Sequence, residues 1–271
     1  MSFEKNSSAR KGFTLVELAI VLVIIGLIVG GVLVGQDLIK QAEIRASITQ
    51  LEKINQAALT FRGKYNGVPG DLTDLRAEAF GLNANRTGAV GIGDGNGLVE
   101  GCAVNATAVG CENILFWDDL TVARLTEDAL GPVSGGDSVA GVAGLTITTI
   151  ATYLPRLSLR ESAFIHVIPH IGRNWMVLGR ITTGAAGAVT VADGLTPLEA
   201  DSIDQKIDDG RGLNGTTLSI NSITANAGVT LDTAAAAAAG VCVTSGAGNP
   251  YNVGDAFQNV IGCQLAVRAS F

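Results

Sequence analysis

The chain has 271 residues, of which 47% are hydrophobic, 16% charged and 5% aromatic, with 35 glycines. This fits one ordered, loop-rich domain with an appendage and excludes an intrinsically disordered chain. The net charge of −7 is uneven: residues 1–65 carry 8 basic and 5 acidic side chains, residues 66–271 carry 10 and 20. An acidic body argues against a phosphate-binding surface, so no nucleic-acid partner is expected.

Residues 1–12, MSFEKNSSARKG, form a polar leader whose Lys5, Arg10 and Lys11 would hold the N-terminus in the cytoplasm and place the rest outside. From Phe13 to Val34, 22 residues, the chain is apolar apart from Thr14 and Glu17. That is long enough to cross a hydrocarbon core about 30 Å thick. A secretory signal peptide would be shorter and end in a small-residue cleavage site, and VLVGQDLIK offers none. Further on, Ile44, Ile48, Leu51, Ile54, Ala58 and Phe61 recur at steps of three and four, one face of an amphipathic helix. No proline precedes Pro69, and Gly63 and Gly67 punctuate the end. The pattern predicts a single helix over about residues 13–62, roughly 75 Å long.

Glu17 is the anomaly. A carboxylate at the centre of a span costs about 2.5–3.5 kcal/mol, less near an end, and usually has a partner. No basic residue stands between Phe13 and Lys40. Gly26 with Gly30, and Gly31 with Gly35, are small-xxx-small pairs that let helices approach closely. The residues alone leave two readings open: an assembly surface, or an anchor whose Glu17 reaches the interface.

KGFTLVELAIVLVIIGLIVGG resembles the prepilin-type N-terminal cleavage and methylation motif of type IV pilins and type II secretion pseudopilins, closely through Gly12, Phe13, Thr14, Leu15, Val16 and Glu17. The resemblance implies a precursor cut by a prepilin peptidase between Gly12 and Phe13, with Phe13 then N-methylated. It implies that Glu17 pairs with the Phe13 amine of a neighbouring subunit as helices bundle in a filament. The implied partners are self or other pilins, the peptidase/methyltransferase and an inner-membrane assembly platform. The implied location is the inner membrane for the precursor, single-pass with its N-terminus cytoplasmic, and a periplasmic or cell-surface filament once assembled. The resemblance continues, less tightly, through TFRGKYNGVPGDLTD, GDGNGLVEG, ILFWDDLTVARL and LTPLEADSIDQKIDDG. Family members commonly have a kinking proline in the span; this chain has none, and Gly30–Gly31 would soften the helix instead. The expected role is a structural pilin, not an enzyme; the alternatives are a type II secretion pseudopilin or a DNA-uptake or adhesive pilin.

The expected fold class is α+β: a long N-terminal helix laid on an antiparallel sheet, with disulfide-closed loops. The expected organisation is leader 1–12, assembly half of the helix 13–35, amphipathic half 36–62 and exported body 63–271. Within the body, Glu112 to about Leu125 predicts a short helix. Leu145–Leu154, Phe164–Ile181 with a turn near Gly172, Thr217–Ile223 and Gln264–Val267 predict strands. Thr196-Pro197-Leu198-Glu199 is a capping-box pattern and predicts a helix to about Asp208, closed by Gly210.

Four cysteines form two sequence-local pairs, Cys102 with Cys111 and Cys242 with Cys263; proximity alone favours these among three connectivities. Asp94, Asn96 and Glu100 in GDGNGLVEG have the spacing of oxygen ligands to calcium. The full EF-hand pattern fails, because Leu98 takes the fifth position and the sixth is not glycine. A glycine-rich turn competes with that reading. Asp208 and Asp209 end the predicted helix, where its dipole disfavours carboxylates; Arg211, backbone N–H groups or a cation are the candidate partners, with hydrogen bonding favoured. His166 and His170 are the only histidines and have no third metal ligand in view. No nucleophile elbow or P-loop is present, so no catalytic residue is assigned. DTAAAAAAGVC reads as a short capped helix or a loop.

Overall fold

The computed structural model describes residues 13–82, 93–100, 112–127, 130, 151, 153–183, 189–220, 223–224, 242–244, 250–254 and 260–271. Two compact units divide the chain, Met1–Glu43 and Ile44–Phe271. Helix α1 runs unbroken over Leu15–Tyr65. In the first unit its side chains are exposed almost throughout, from Leu15 (84%) and Leu22 (69%) to Leu38 (66%) and Ile39 (61%). It is long and apolar enough to cross a membrane, with a mean hydropathy of 3.0 over its most apolar window.

In the second unit α1 becomes one-sided. Ile44, Ser47, Leu51, Ile54, Ala57, Ala58, Phe61 and Tyr65 are buried, and Ile48 packs partly against the core. Each large apolar group so buried is worth about 1.5–3 kcal/mol. The helix ends three residues later than the glycines suggest: Gly63 lies within it, and Asn66 turns the chain at φ 53°. Asparagine is the commonest substitute for glycine in that left-handed capping position.

A one-and-a-half-turn helix α2 (Asp74–Ala79) follows, which the sequence reading did not anticipate. Helix α3 (Glu112–Val122) is buried from Glu112 through Leu120, charged residues included. Among the described residues the sheet is antiparallel and seven-stranded: β1 (Arg156–Leu157), β2 (Arg160–His170), β3 (Arg173–Thr183), β4 (Val189–Ala192), β5 (Thr217–Ile220), β6 (Ile223–Thr224) and β7 (Gln264–Arg268). Strand β3 organises it. One edge pairs with β2; the other pairs first with β7, from Trp175 to Leu178, and then with β4, from Arg180 to Thr183. β5 adds to β7 and β6 to β4. The β2–β3 hairpin turns on Ile171 and Gly172, both with positive φ (49° and 68°). This is the two-residue geometry whose twist matches the strands.

The main core joins Leu51, Ile54 and Phe61 of α1 to Phe116 and Trp117 of α3 and to Ile165, Val167, Met176 and Leu178 of the hairpin. A smaller cluster of Ile168, Trp175, Val177, Ile220 and Ala266 packs separately. Helix α4 (Pro197–Ile207) starts with the expected capping box between Thr196 and Glu199, with proline in the first turn. The buried Glu199 also accepts Arg160 Nη2 at 2.7 and 3.0 Å. Cys242 and Cys263 form a disulfide. Cys102 and Cys111, the alanine tract and residues 145–150 lie outside the described residues. Ala151, Tyr153 and Leu154, expected at the end of a strand, lie in turns and a bend, and β pairing begins at Arg156.

Candidate functional site

The N-terminal segment is built from the residue types that made it conspicuous. Gly12 lies outside the described residues; Phe13 is 83% exposed. Thr14 caps α1: its N–H and its hydroxyl donate to Glu17 Oε2 at 2.8 and 2.9 Å, and Glu17 N–H donates to Thr14 Oγ1 at 3.2 Å. This is a reciprocal capping box. In place of a basic side chain, the partners of Glu17 within the chain are a backbone N–H and a hydroxyl. A Cβ added at Gly26, Gly30, Gly31 or Gly35 would meet nothing within 4 Å. Among the described residues nothing therefore calls for glycine at these positions.

The loop holding Asp94, Asn96 and Glu100 is arranged differently from a calcium loop. Asn96 Nδ2 donates to Asp94 Oδ2 and Glu100 Oε2 at 3.0 and 3.3 Å, and Asn96 Oδ1 accepts Leu98 N–H at 2.7 Å. The three residues meet, but through an amide that presents donors to the carboxylates. The carboxylates that converge on Asp94 come from elsewhere: Asp71 and Glu112, with one oxygen of each within 4.8 Å. Their oxygens already hold the loop. Asp71 takes the N–H groups of Gly95 (2.8 Å) and Gly97 (2.6 Å); Glu112 takes those of Gly93 (2.7 Å) and Glu100 (2.9 Å). Burial pushes the Glu112 carboxyl up to about 8 and that of Asp71 up to about 6, while these N–H groups draw both back down.

Asn174 of β3 completes the cradle. It accepts Val99 N–H at 2.8 Å and donates to the carbonyls of Gly97 and Phe271. Gly70, at φ 86°, donates its N–H to the buried Asp119 at 2.7 Å. Side chains of α3, β3 and the Val68–Leu72 stretch thus replace the regular hydrogen bonding that this loop lacks. Asp71, Glu112 and Asn174 escaped the sequence reading. The available signal was carboxylates inside an otherwise apolar helix, ENILFWDDL.

The histidines are strand residues in β2. His166 is fully buried with Nε2 3.1 Å from Asn113 Nδ2, and burial lowers its pKa to about 4. At the end of α4, Asp208 Oδ2 accepts the N–H groups of Thr216 and Thr217, and Asp209 Oδ1 accepts Arg211 N–H at 3.0 Å. Hydrogen bonding, the role favoured for this pair, accounts for one oxygen of each.

A long N-terminal helix, apolar and exposed at its start and packed against an antiparallel sheet further on, together with an in-chain disulfide, defines a pilin-like α+β protein. Residues 7–33 match the prokaryotic N-terminal methylation motif. The chain thus carries the prepilin-type signal of type IV pilins and pseudopilins. This signal and the apolar helix fit a membrane-anchored precursor. No curated protein and no solved structure matches the chain significantly.

Proposed function

We propose that the protein is a structural subunit, a major or minor pilin, of a type IV pilus or related filament. The precursor is held in the inner membrane by α1 with its N-terminus in the cytoplasm. A prepilin peptidase cuts between Gly12 and Phe13, and Phe13 is N-methylated. An assembly platform then inserts the subunit into a filament at the cell surface or in the periplasm. There Glu17 gives up its Thr14 partners and pairs with the Phe13 ammonium of a neighbour. A type II secretion pseudopilin would use the same steps.

The observation that carries this reading is the exposed run from Phe13 to Val34, whose only charge sits four residues after a Gly-Phe bond. A membrane anchor needs neither that carboxylate nor glycines with open space beside them. Packing against other helices uses both. The acidic body gives no support to a DNA-uptake role. The test is the intact mass and N-terminal sequence of the mature protein. A start at N-methyl-Phe13 supports the proposal; a start at Met1, or beyond Val34, refutes it.

A further inference from the structure

A second group of carboxylates lies far along the chain from the Asp94 loop, at the C-terminal end of α4. Asp204 sits on the buried face of the helix, Asp208 is its C-cap and Asp209 follows. One oxygen of each lies within 4.8 Å of the others. Oxygens bound to one calcium ion at about 2.3–2.6 Å stand no more than about 5 Å apart, so a single ion can touch all three.

Asp204 separates this group from an ordinary acidic surface. Its side chain is wholly buried, and among the described residues neither of its oxygens makes a hydrogen bond of good geometry. The hydroxyl of Tyr251, also buried, is the side-chain group that interacts with Asp204, but it stands outside good hydrogen-bond geometry. By contrast the Asp71–Asp94–Glu112 group has its oxygens filled by N–H donors. A buried carboxylate without a partner is costly, and here two further acids and the negative end of a helix add to the cost. The nearby cation, Arg211, stands 3.9 Å from the outermost acid, Asp209. The donors are all oxygen, without histidine or cysteine, which selects a hard divalent cation. Two of them come from the loop around Gly210, at φ 74°, an irregular frame that suits calcium better than the strict octahedron of magnesium.

We infer that Asp204, Asp208 and Asp209 form a calcium site that pins the end of α4 to the Thr216–Thr217 start of β5. The inference does not depend on the filament reading. Asp208 Oδ2 already holds the β5 backbone, so an ion on the remaining oxygens would tie that contact to the buried helix face. The Tyr251 hydroxyl is placed to serve the ion or one of its waters.

The experiment uses the full chain in detergent, stripped with a chelator and titrated with calcium chloride, with thermal unfolding and calorimetry as readouts. The expected result is a saturable rise in unfolding temperature with a half-point near or below about 1 mM, the range of extracellular calcium modules. Asp204→Asn should abolish the rise. In chelator it should unfold no earlier than the wild type, since an unpaired buried charge is gone. If that variant fails to fold, Asp209→Asn, at an exposed position, should raise the half-point about tenfold while leaving the chelated protein unchanged. Asp94→Asn should keep the full calcium response. A wild type that unfolds identically in chelator and calcium overturns the inference, as does an Asp204→Asn or Asp209→Asn protein that responds like the wild type. An equal response to magnesium overturns the choice of calcium.

Discussion

Glu17 Oε2 accepts both the N–H and the hydroxyl of Thr14, at 2.8 and 2.9 Å, within one chain. The carboxylate that makes this segment recognisable is therefore not idle before assembly; it closes the first turn of α1. Any contact with a neighbour's amine must compete with that cap, whose bonds are themselves charge-assisted because a carboxylate accepts them.

Glu17→Gln separates the two roles. Glutamine also serves in a capping box, so α1 should start as before and the Phe13 terminus should form normally. Loss of the charge should lower recovery in sheared filaments tenfold or more, as expected for a contact worth about 1.5–3 kcal/mol. Filament recovery at the wild-type level, with correct processing, would remove the charge from the assembly mechanism.

Gly70→Ala should be among the most damaging single-methyl changes in the body. Its φ of 86° is strained for any other residue, and a Cβ there would lie 2.3 Å from the Glu112 carbonyl oxygen, at the start of α3. Backbone cannot yield as a side-chain end can, so a loss of about 2–4 kcal/mol is expected. Chemical denaturation of purified protein would show it as a lower midpoint with the slope unchanged; a shift below about 0.5 kcal/mol would contradict the close approach.

His166 sets an acid limit. Its folded pKa, lowered by burial to about 4, lies below the ordinary 6.5. The neutral ring therefore contributes full stability above 6.5, and this is lost as pH falls through 4, on the order of 3 kcal/mol in all. Glu112 and Asp71, with raised pKa values, act in the opposite sense as pH rises towards 8 and 6. Comparing wild type with His166→Gln isolates the histidine: their stability difference should shrink from pH 7 to pH 4. A pH-independent difference would mean the ring is not buried neutral.

The Cys242–Cys263 bond spans 21 residues. Closing a loop of that size restricts the unfolded chain by about 3 kcal/mol. Reduction, or replacement of both cysteines by serine, should lower stability by about that amount. Peptide mapping without reductant should recover the two cysteines in one linked fragment. Unchanged unfolding in reductant would show the bond to be dispensable.

The local features were legible because they are written in short-range pattern. The apolar run, the three-and-four spacing from Ile44 to Phe61, the capping box at Thr196 and the hairpin around Gly172 each depend on residues within a turn or two. So does the N-terminal methylation motif, matched over residues 7–33. The helix end at Asn66 was missed because either asparagine or glycine can take a left-handed φ, and the choice fell to packing of Tyr65 and Val68. The bonding of the Asp94 loop was not legible for a similar reason. Spacing puts Asp94, Asn96 and Glu100 near one another, but it is silent on the side chains of Asp71, Glu112 and Asn174 that bond the loop, which stand 23, 18 and 80 residues from Asp94 in the chain.

Sequence alone determined the prepilin-type signal and a helix long and apolar enough to cross a membrane, since both are patterns of neighbouring residues. Only tertiary structure decided which buried carboxylates are satisfied. Asp71 and Glu112 found backbone N–H groups and Asp204 did not, because the cost of a buried charge is set by neighbours that distant parts of the chain bring to it.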